Sequence, residues 1–317
     1  MNINAKVFVP SSKEHVQRTP TNIPISYETI PIYDIVIYHG RCPDGIAGAW
    51  CYWRINRNAV FHGASHGSNL STICIDIKGK RVLFIDFVYP KDIMRDVIKS
   101  AAVIRVLDHH KTSEYITQLA ADTLNMSAVI DMNRSGAQIA WDEFNPTYMR
   151  PAAIDYVADK DLYTFKLQDS REINRAMEFM GYLDNIEAFD NAVNTEDDLV
   201  HIGSILLRND AINNKKIADR HISCMYKDYK VCVVQCLPRD LSSIAELLSN
   251  ICDFVVCANF NLLHDQWGIS FRSKNLNLLP IVKEISDGHC GGHPNACGCG
   301  YKGNLRDIFK PKLFKKN

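Results

Sequence analysis

The apolar positions of this chain fall into two alternating rhythms. Asp34-Ile-Val-Ile-Tyr-His39, Arg81-Val-Leu-Phe-Ile-Asp86 and Ala102-Val-Ile-Arg-Val-Leu107 are short, unbroken and β-branched, as strands buried on both faces are. Between and after them lie 46–57, 91–99 and 114–121, where apolar residues recur at helical spacing. Met126-Ser-Ala-Val-Ile-Asp131 reads as one more strand. Strands separated by helices of this length need crossover connections, which are right-handed and build a parallel sheet. Beyond 131 the spacing predicts helices over 135–144, 150–159 and 170–179, then a long charged one over 197–228. A second α/β rhythm follows, with strands over 230–235, 253–259 and 267–273 and a helix over 241–250, ending near Cys299.

This pattern divides the chain into a leader (1–30), an α/β domain (31–195), a helical connector (196–229), a smaller α/β domain (230–305) and a basic tail (306–317). The leader carries scattered Pro, Ser, Thr and Asn without periodicity and is expected to be extended or disordered. The tail is expected to be frayed and solvated. With 317 residues and 46% hydrophobic content the chain has enough for two cores.

Charge narrows the partners. Lys plus Arg and Asp plus Glu both total 36, which argues against a protein that binds by neutralising many duplex phosphates. Eleven scattered cysteines, an odd number, with no signal-peptide pattern, point to a reducing, cytoplasmic compartment rather than a disulfide framework. No apolar run approaches the ~20 residues that cross a bilayer, so a soluble protein without membrane partners is expected.

The candidate chemistry lies at the strand ends. Three strand-like runs finish in His39, in Asp86 and in Asp108-His109-His110, and C-terminal strand edges are where open α/β sheets place their sites. Cys42-Pro-Asp-Gly45 follows just beyond the first, and Val157-Ala-Asp-Lys-Asp161 lies further on. A late segment, Gly291-Gly-His-Pro-Asn-Ala-Cys-Gly298, is preceded by the strand Ile269-Ser-Phe-Arg-Ser273. In this order the blocks resemble the DHH phosphoesterases with their accompanying DHHA1 domain, over roughly residues 31–305.

The resemblance implies a parallel-sheet DHH catalytic domain and a smaller α/β DHHA1 substrate-binding domain joined by a helical connector. Asp44, Asp86, His109 and Asp159 would hold one divalent cation, and Asp86 would bridge to a second held also by His39. Asp161 takes the place of Asp159 if the match shifts by two residues. Asp108 and His110 would orient ligands or meet the phosphate, and are the candidate catalytic residues. Cys42 stands where many members have a carboxylate; it is either a thiolate ligand or a small buried apolar group. Oxygen donors with imidazoles suit Mn²⁺, with Mg²⁺ as an alternative.

On the substrate side Gly291, Gly292 and His293 would bind a phosphate or a terminal nucleotide, with Arg272 as a further phosphate contact. A competing reading makes His289, Cys290, His293, Cys297 and Cys299 a zinc site, although no Cys-x2-Cys pair is present. Arg134-Ser135-Gly136-Ala137 reads as a capped helix start more than as an anion site. The function implied is metal-dependent hydrolysis of short single-stranded oligonucleotides, as in the oligoribonuclease branch, or of small nucleotides, in a cleft between the domains. Cyclic dinucleotides, 3′-phosphorylated nucleotides or polyphosphate are alternative substrates, a catalytically weak nucleotide-binding protein is a different class, and a homodimer stays open.

Overall fold

The computed structural model describes residues 31–65, 75–262, 265–286 and 290–311. The expected leader lies outside the described residues. The chain divides into two compact units between Gly203 and Ser204.

The first unit is built on β1 (Ile35–His39), β2 (Val60–Ala64), β3 (Arg81–Ile85), β4 (Val103–Asp108) and β5 (Met126–Ile130), all parallel, in the order β2-β1-β3-β4-β5. The three runs that end in chemistry are thus adjacent strands at the centre. Apart from Arg81 and from Arg105, which pairs with Glu143 of the helix above, their inner positions are apolar because both faces are covered. Val36, Leu83, Ile85 and Leu107 enter one core, and Ile35, Ile37, Val82, Phe84, Ile104 and Val106 the other.

Helices α1 (Pro43–Trp53) and α4 (Gly136–Phe144) belong to the first core, and α2 (Lys91–Ser100) and α3 (Tyr115–Ala121) to the second. A Cβ on Gly45 would stand 2.3 Å from the His39 carbonyl oxygen, and one on Gly48 would stand 2.5 Å from Ile85 Cγ2. These two glycines bring α1 hard against the sheet and carry Asp44 to the strand ends. Trp50 of α1 stacks on Trp141 of α4, with ring centroids 6.1 Å apart and planes 11° from parallel. Helices α5 (Ala152–Asp161), α6 (Ser170–Phe179), α7 (Ile186–Asn194) and α8 (Leu199–Ala218) follow.

The second unit is a seven-stranded sheet of β6 (Ile222–Tyr226), β7 (Tyr229–Val234), β8 (Phe254–Asn261), β9 (Gln266–Arg272), β10 (Cys290–His293), β11 (Ala296–Tyr301) and β12 (Lys310–Pro311). Its order is β10-β11-β9-β8-β7-β6-β12, parallel only between β7 and β8. Phe254, Ile269, Phe271 and Cys297 form a core with α10 (Leu279–Ile285), while Cys232, Val255 and Cys257 pack against α9 (Leu241–Leu248).

Several expectations are corrected. The helix expected over 46–57 starts at Pro43, whose ring presets the first turn, and ends at Trp53. Strand β2 escaped the pattern because it is an edge strand with only Ala64 buried. The helix α7 was also missed, although Asn185 caps it by accepting a hydrogen bond from Ala188 N. The connector expected as helix over 196–229 is helical only to Ala218. Ile222–Tyr226 is instead a strand, turned into β7 through Lys227-Asp228 with Lys227 left-handed at φ 50°, and the charged turn had mimicked a solvated helix. The tail is not simply frayed: α11 (Leu305–Ile308) and β12 belong to the second sheet's layers, and Phe309 is buried.

Candidate metal centre

Parallel strands that end together present their last side chains along one edge, and here that edge collects charge. His39 ends β1, Asp86 follows β3, and Asp108 ends β4 with His109 and His110 beyond it. Asp44 arrives from the first turn of α1, and Asp161 from the last residue of α5.

His109 is the hub. Its Nε2 lies 3.1 Å from Asp86 Oδ1, 3.3 Å from Asp161 Oδ2 and 3.7 Å from Asp44 Oδ2. Burial opposes the imidazolium, but the Asp86 hydrogen bond and the three carboxylates outweigh it and raise the His109 pKa to about 9. For Asp86, burial likewise works against the charged form, and the His109 and His39 contacts overcome it, holding the carboxyl well below the usual range. Asp44 and Asp161 move the other way: burial, then repulsion from Asp86, raises both. Buried Asp44 and Asp86 and the more open Asp161 thus share an edge that cannot ionise fully on its own protons, the condition a divalent cation relieves.

Backbone donors fix these groups. Gly136 N and Ala137 N, the first amides of α4, donate to Asp44 at 2.6 and 3.1 Å. A Cβ on Gly136 would fall 2.6 Å from Asp86 Cβ and 2.9 Å from Asp44 Oδ2, so only glycine fits between the two carboxylates. Ser135 and Gln138 close a capping box around the same turn. The segment read from sequence as a plain helix cap is therefore a cap that also cradles a site carboxylate. A Ser-Gly opening a helix after a strand was the only signal, and nothing local named its partner, 92 residues away.

Asp108, fully buried, accepts hydrogen bonds from His109 N, His110 N and Ser113 Oγ. It also receives His110 Nδ1 at 2.8 Å, which raises the His110 pKa against the opposing effect of burial. Asp86 is left-handed at φ 56°, a conformation that costs a non-glycine residue on the order of 1 kcal/mol and is held by its surroundings.

Three overlapping groups bring potential ligand atoms within 4.8 Å of one another: Asp86, Asp108, His109 and His110; His39, Cys42 and Asp86; and Asp44, His109 and Asp161. Asp86 Oδ2 is buried without a well-formed hydrogen bond, 3.4 Å from His39 Nδ1. A buried carboxylate oxygen whose only close partner among the described residues is the long His39 contact, among further oxygen and imidazole donors, fits a hard divalent cation. Cys42 joins the second group, and burial, then Asp86 and Asp44, pushes its thiol pKa up, so without a cation it is a neutral thiol.

Asp159 is not brought to this edge. Its carboxylate accepts from Thr164 Oγ1, Lys166 N and Leu167 N, and against the effect of burial the Ser170 hydroxyl, then these donors, lower its pKa to about 2. Asp161, two residues on, faces His109 in its stead. In the second unit, Gly291, Gly292 and His293 form β10, antiparallel to β11, and Arg272 pairs in register with Ala296. Gly292 adopts φ 124°, and a Cβ there would stand 2.5 Å from the Ala296 carbonyl oxygen. His293 is exposed, whereas Arg272 donates from Nε to Ser242 Oγ at 3.1 Å. Of the zinc alternative, Cys297 is buried in the apolar core and His293 is exposed; His289 lies outside the described residues.

The chain resembles known proteins in part of its sequence and in its fold. Residues 228–312 match the DHHA1 domain model. An uncharacterised protein, R106, of Acanthamoeba polyphaga mimivirus is 25% identical over 295 residues, covering 85% of this chain and 68% of the relative. The DHH domain of a protein assigned to a ribosomal-protein family superposes at a TM-score of 0.56, with 13% identity over 87% of this chain and 84% of that one. A pGpG-specific phosphodiesterase, PggH, of Vibrio cholerae gives 0.49, with 15% identity over 86% and 94%. Fold and edge define an α/β protein with a carboxylate-imidazole centre at the C-terminal ends of a parallel sheet. Residues 228–312 match the DHHA1 domain, and the fold of the chain resembles that of the DHH-domain structure.

Among the described residues no helix is long and apolar enough to cross a membrane.

Proposed function

We propose that this protein is a metal-dependent phosphoesterase acting on short oligonucleotides or small nucleotides in a reducing, cytoplasmic setting. The observation that carries this reading is the convergence of Asp44, Asp86, Asp161, His39 and His109 on one sheet edge, beside the Asp108-His110 pair. Divalent cations bound there, Mn²⁺ best suiting the donors, would supply charge neutralisation at the phosphoryl oxygens and an activated water.

The chain's own residues do the rest. Asp44, held by the α4 amides, and Asp86, held by its strained backbone, preset the donor positions, so little reorganises on binding. Asp108 locks the His110 ring and favours its imidazolium, fitting His110 to meet a phosphate oxygen or to return a proton to the leaving oxygen. The glycine hairpin Gly291-Gly292 offers close backbone approach to a phosphate, with His293 and Arg272 as side-chain contacts. The nine cysteines with described side chains are free thiols.

The test is a panel assay with Mn²⁺: labelled di- to decanucleotides, cyclic dinucleotides, a 3′,5′-bisphosphate nucleotide and polyphosphate, each against Asp86→Ala and His109→Ala. Turnover of short oligonucleotides that both variants abolish supports the reading. Equal turnover in either variant overturns the centre, and nucleotide binding without hydrolysis of any substrate makes the protein a binder.

A further inference from the structure

The loop after Asp161 has a backbone that its sequence disfavours. Tyr163 (φ 54°), Phe165 (φ 46°) and Asp169 (φ 56°) all occupy the left-handed region. For side chains with a Cβ that region costs roughly 1 kcal/mol or more per residue, and glycine would take it freely. What these positions keep in exchange is two aromatic rings.

Asp159 holds the strain in place, because its buried carboxylate gathers Thr164 Oγ1, Lys166 N and Leu167 N around the tightest part of the loop. Tyr163 is left 70% exposed. Its ring meets Phe165 edge-on at 5.0 Å, and the Arg171 guanidinium lies 3.8 Å from the Phe165 centroid. Asp161, just before Tyr163 in the chain, reaches His109 in the carboxylate-imidazole centre.

An exposed ring, Tyr163, backed edge-on by half-buried Phe165 and the guanidinium stacked on it, is the chemistry that stacks a planar heterocycle. A protein partner would require a broader apolar surface than this loop, in which Lys166, Gln168 and Asp169 interleave with the rings. We propose that Tyr163, Phe165 and Arg171 form a stacking platform for a nucleobase of the substrate, with Asp159 as the positioning residue that maintains it. The platform rests on the phosphoesterase reading only in treating the base as part of the substrate. Because every base has a π-face, it is tolerant of base identity, and it discriminates base-bearing diesters from abasic ones.

Binding is measured by isothermal titration of the full chain with Mn²⁺ and a 5′-phosphorylated adenylyl dinucleotide whose bridging linkage is a phosphorothioate, and with the same diester carrying abasic sugars. Wild type is expected to prefer the base-bearing ligand by about tenfold or more, and Tyr163→Ala to lose most of that preference. Tyr163→Trp, which keeps a stacking surface, is expected to restore it, separating stacking from a loop that has merely rearranged. Equal binding of the two ligands by wild type, or an unchanged preference in Tyr163→Ala, overturns the platform. Hydrolysis of oligonucleotides with no such preference leaves the phosphoesterase standing without the platform, whereas base preference without hydrolysis leaves the platform standing alone.

Discussion

Two neighbouring aspartates on one helix show how little a residue's name settles. Asp159 faces a loop and Asp161 faces His109, and their pKa shifts run in opposite directions. A carboxyl lowered from 3.8 to about 2 stabilises the fold above its unfolded pKa, and that contribution is lost as pH falls through the folded value. Asp159→Asn is therefore expected to cost about 2 kcal/mol at pH 7, with the gap to wild type closing between about pH 4 and 2 in urea unfolding. Asp161 is raised, so its ionised form destabilises the metal-free protein at neutral pH. Asp161→Asn should hold or gain stability without metal while weakening Mn²⁺ binding by about 100-fold, read by calorimetric titration. Equal metal binding in the Asp161 variant would return the ligand role to Asp159. The sequence offered both residues, and only the turn of α5 chose between them.

At the scale of elements, the start of α4 has two tasks. Ser135 caps it, and its first two amides carry Asp44. Gly136→Ala places a methyl carbon between Asp44 and Asp86, and the overpacking is expected to cost about 1–3 kcal/mol of stability. Displacing both carboxylates should also lower Mn²⁺ affinity by about tenfold or more. Ser135→Ala, which removes the cap and spares the space, should lose about 1 kcal/mol with little effect on metal binding, so thermal unfolding and titration together separate the two roles. Strands β1, β3 and β4 were legible because burial on both faces leaves a nearly unbroken apolar run, in β4 broken only by Arg105. Edge strand β2 and the short strand β6 lacked that signature, since exposed positions and a charged turn break the pattern.

For the whole molecule, the equal totals of acidic and basic residues shape the expected substrate. Without a basic excess, nucleotides beyond the first few add little attraction, so kcat/KM across two-, five- and twenty-nucleotide RNAs should rise weakly and depend modestly on salt. A steep rise toward the longest strand, with strong salt sensitivity, would indicate a track for long single strands. The sequence by itself determined the parallel sheet, the charged residues at its strand ends and the glycine-rich segment 291–298, because each is a short-range pattern: apolar runs, turn residues and motif order. Tertiary structure alone decided which carboxylates meet. Asp44 finds the amides of Gly136 and Ala137, Asp161 displaces Asp159 from the edge, and the strained loop holds Tyr163 outward, all through contacts and helix rotation that local propensity does not encode.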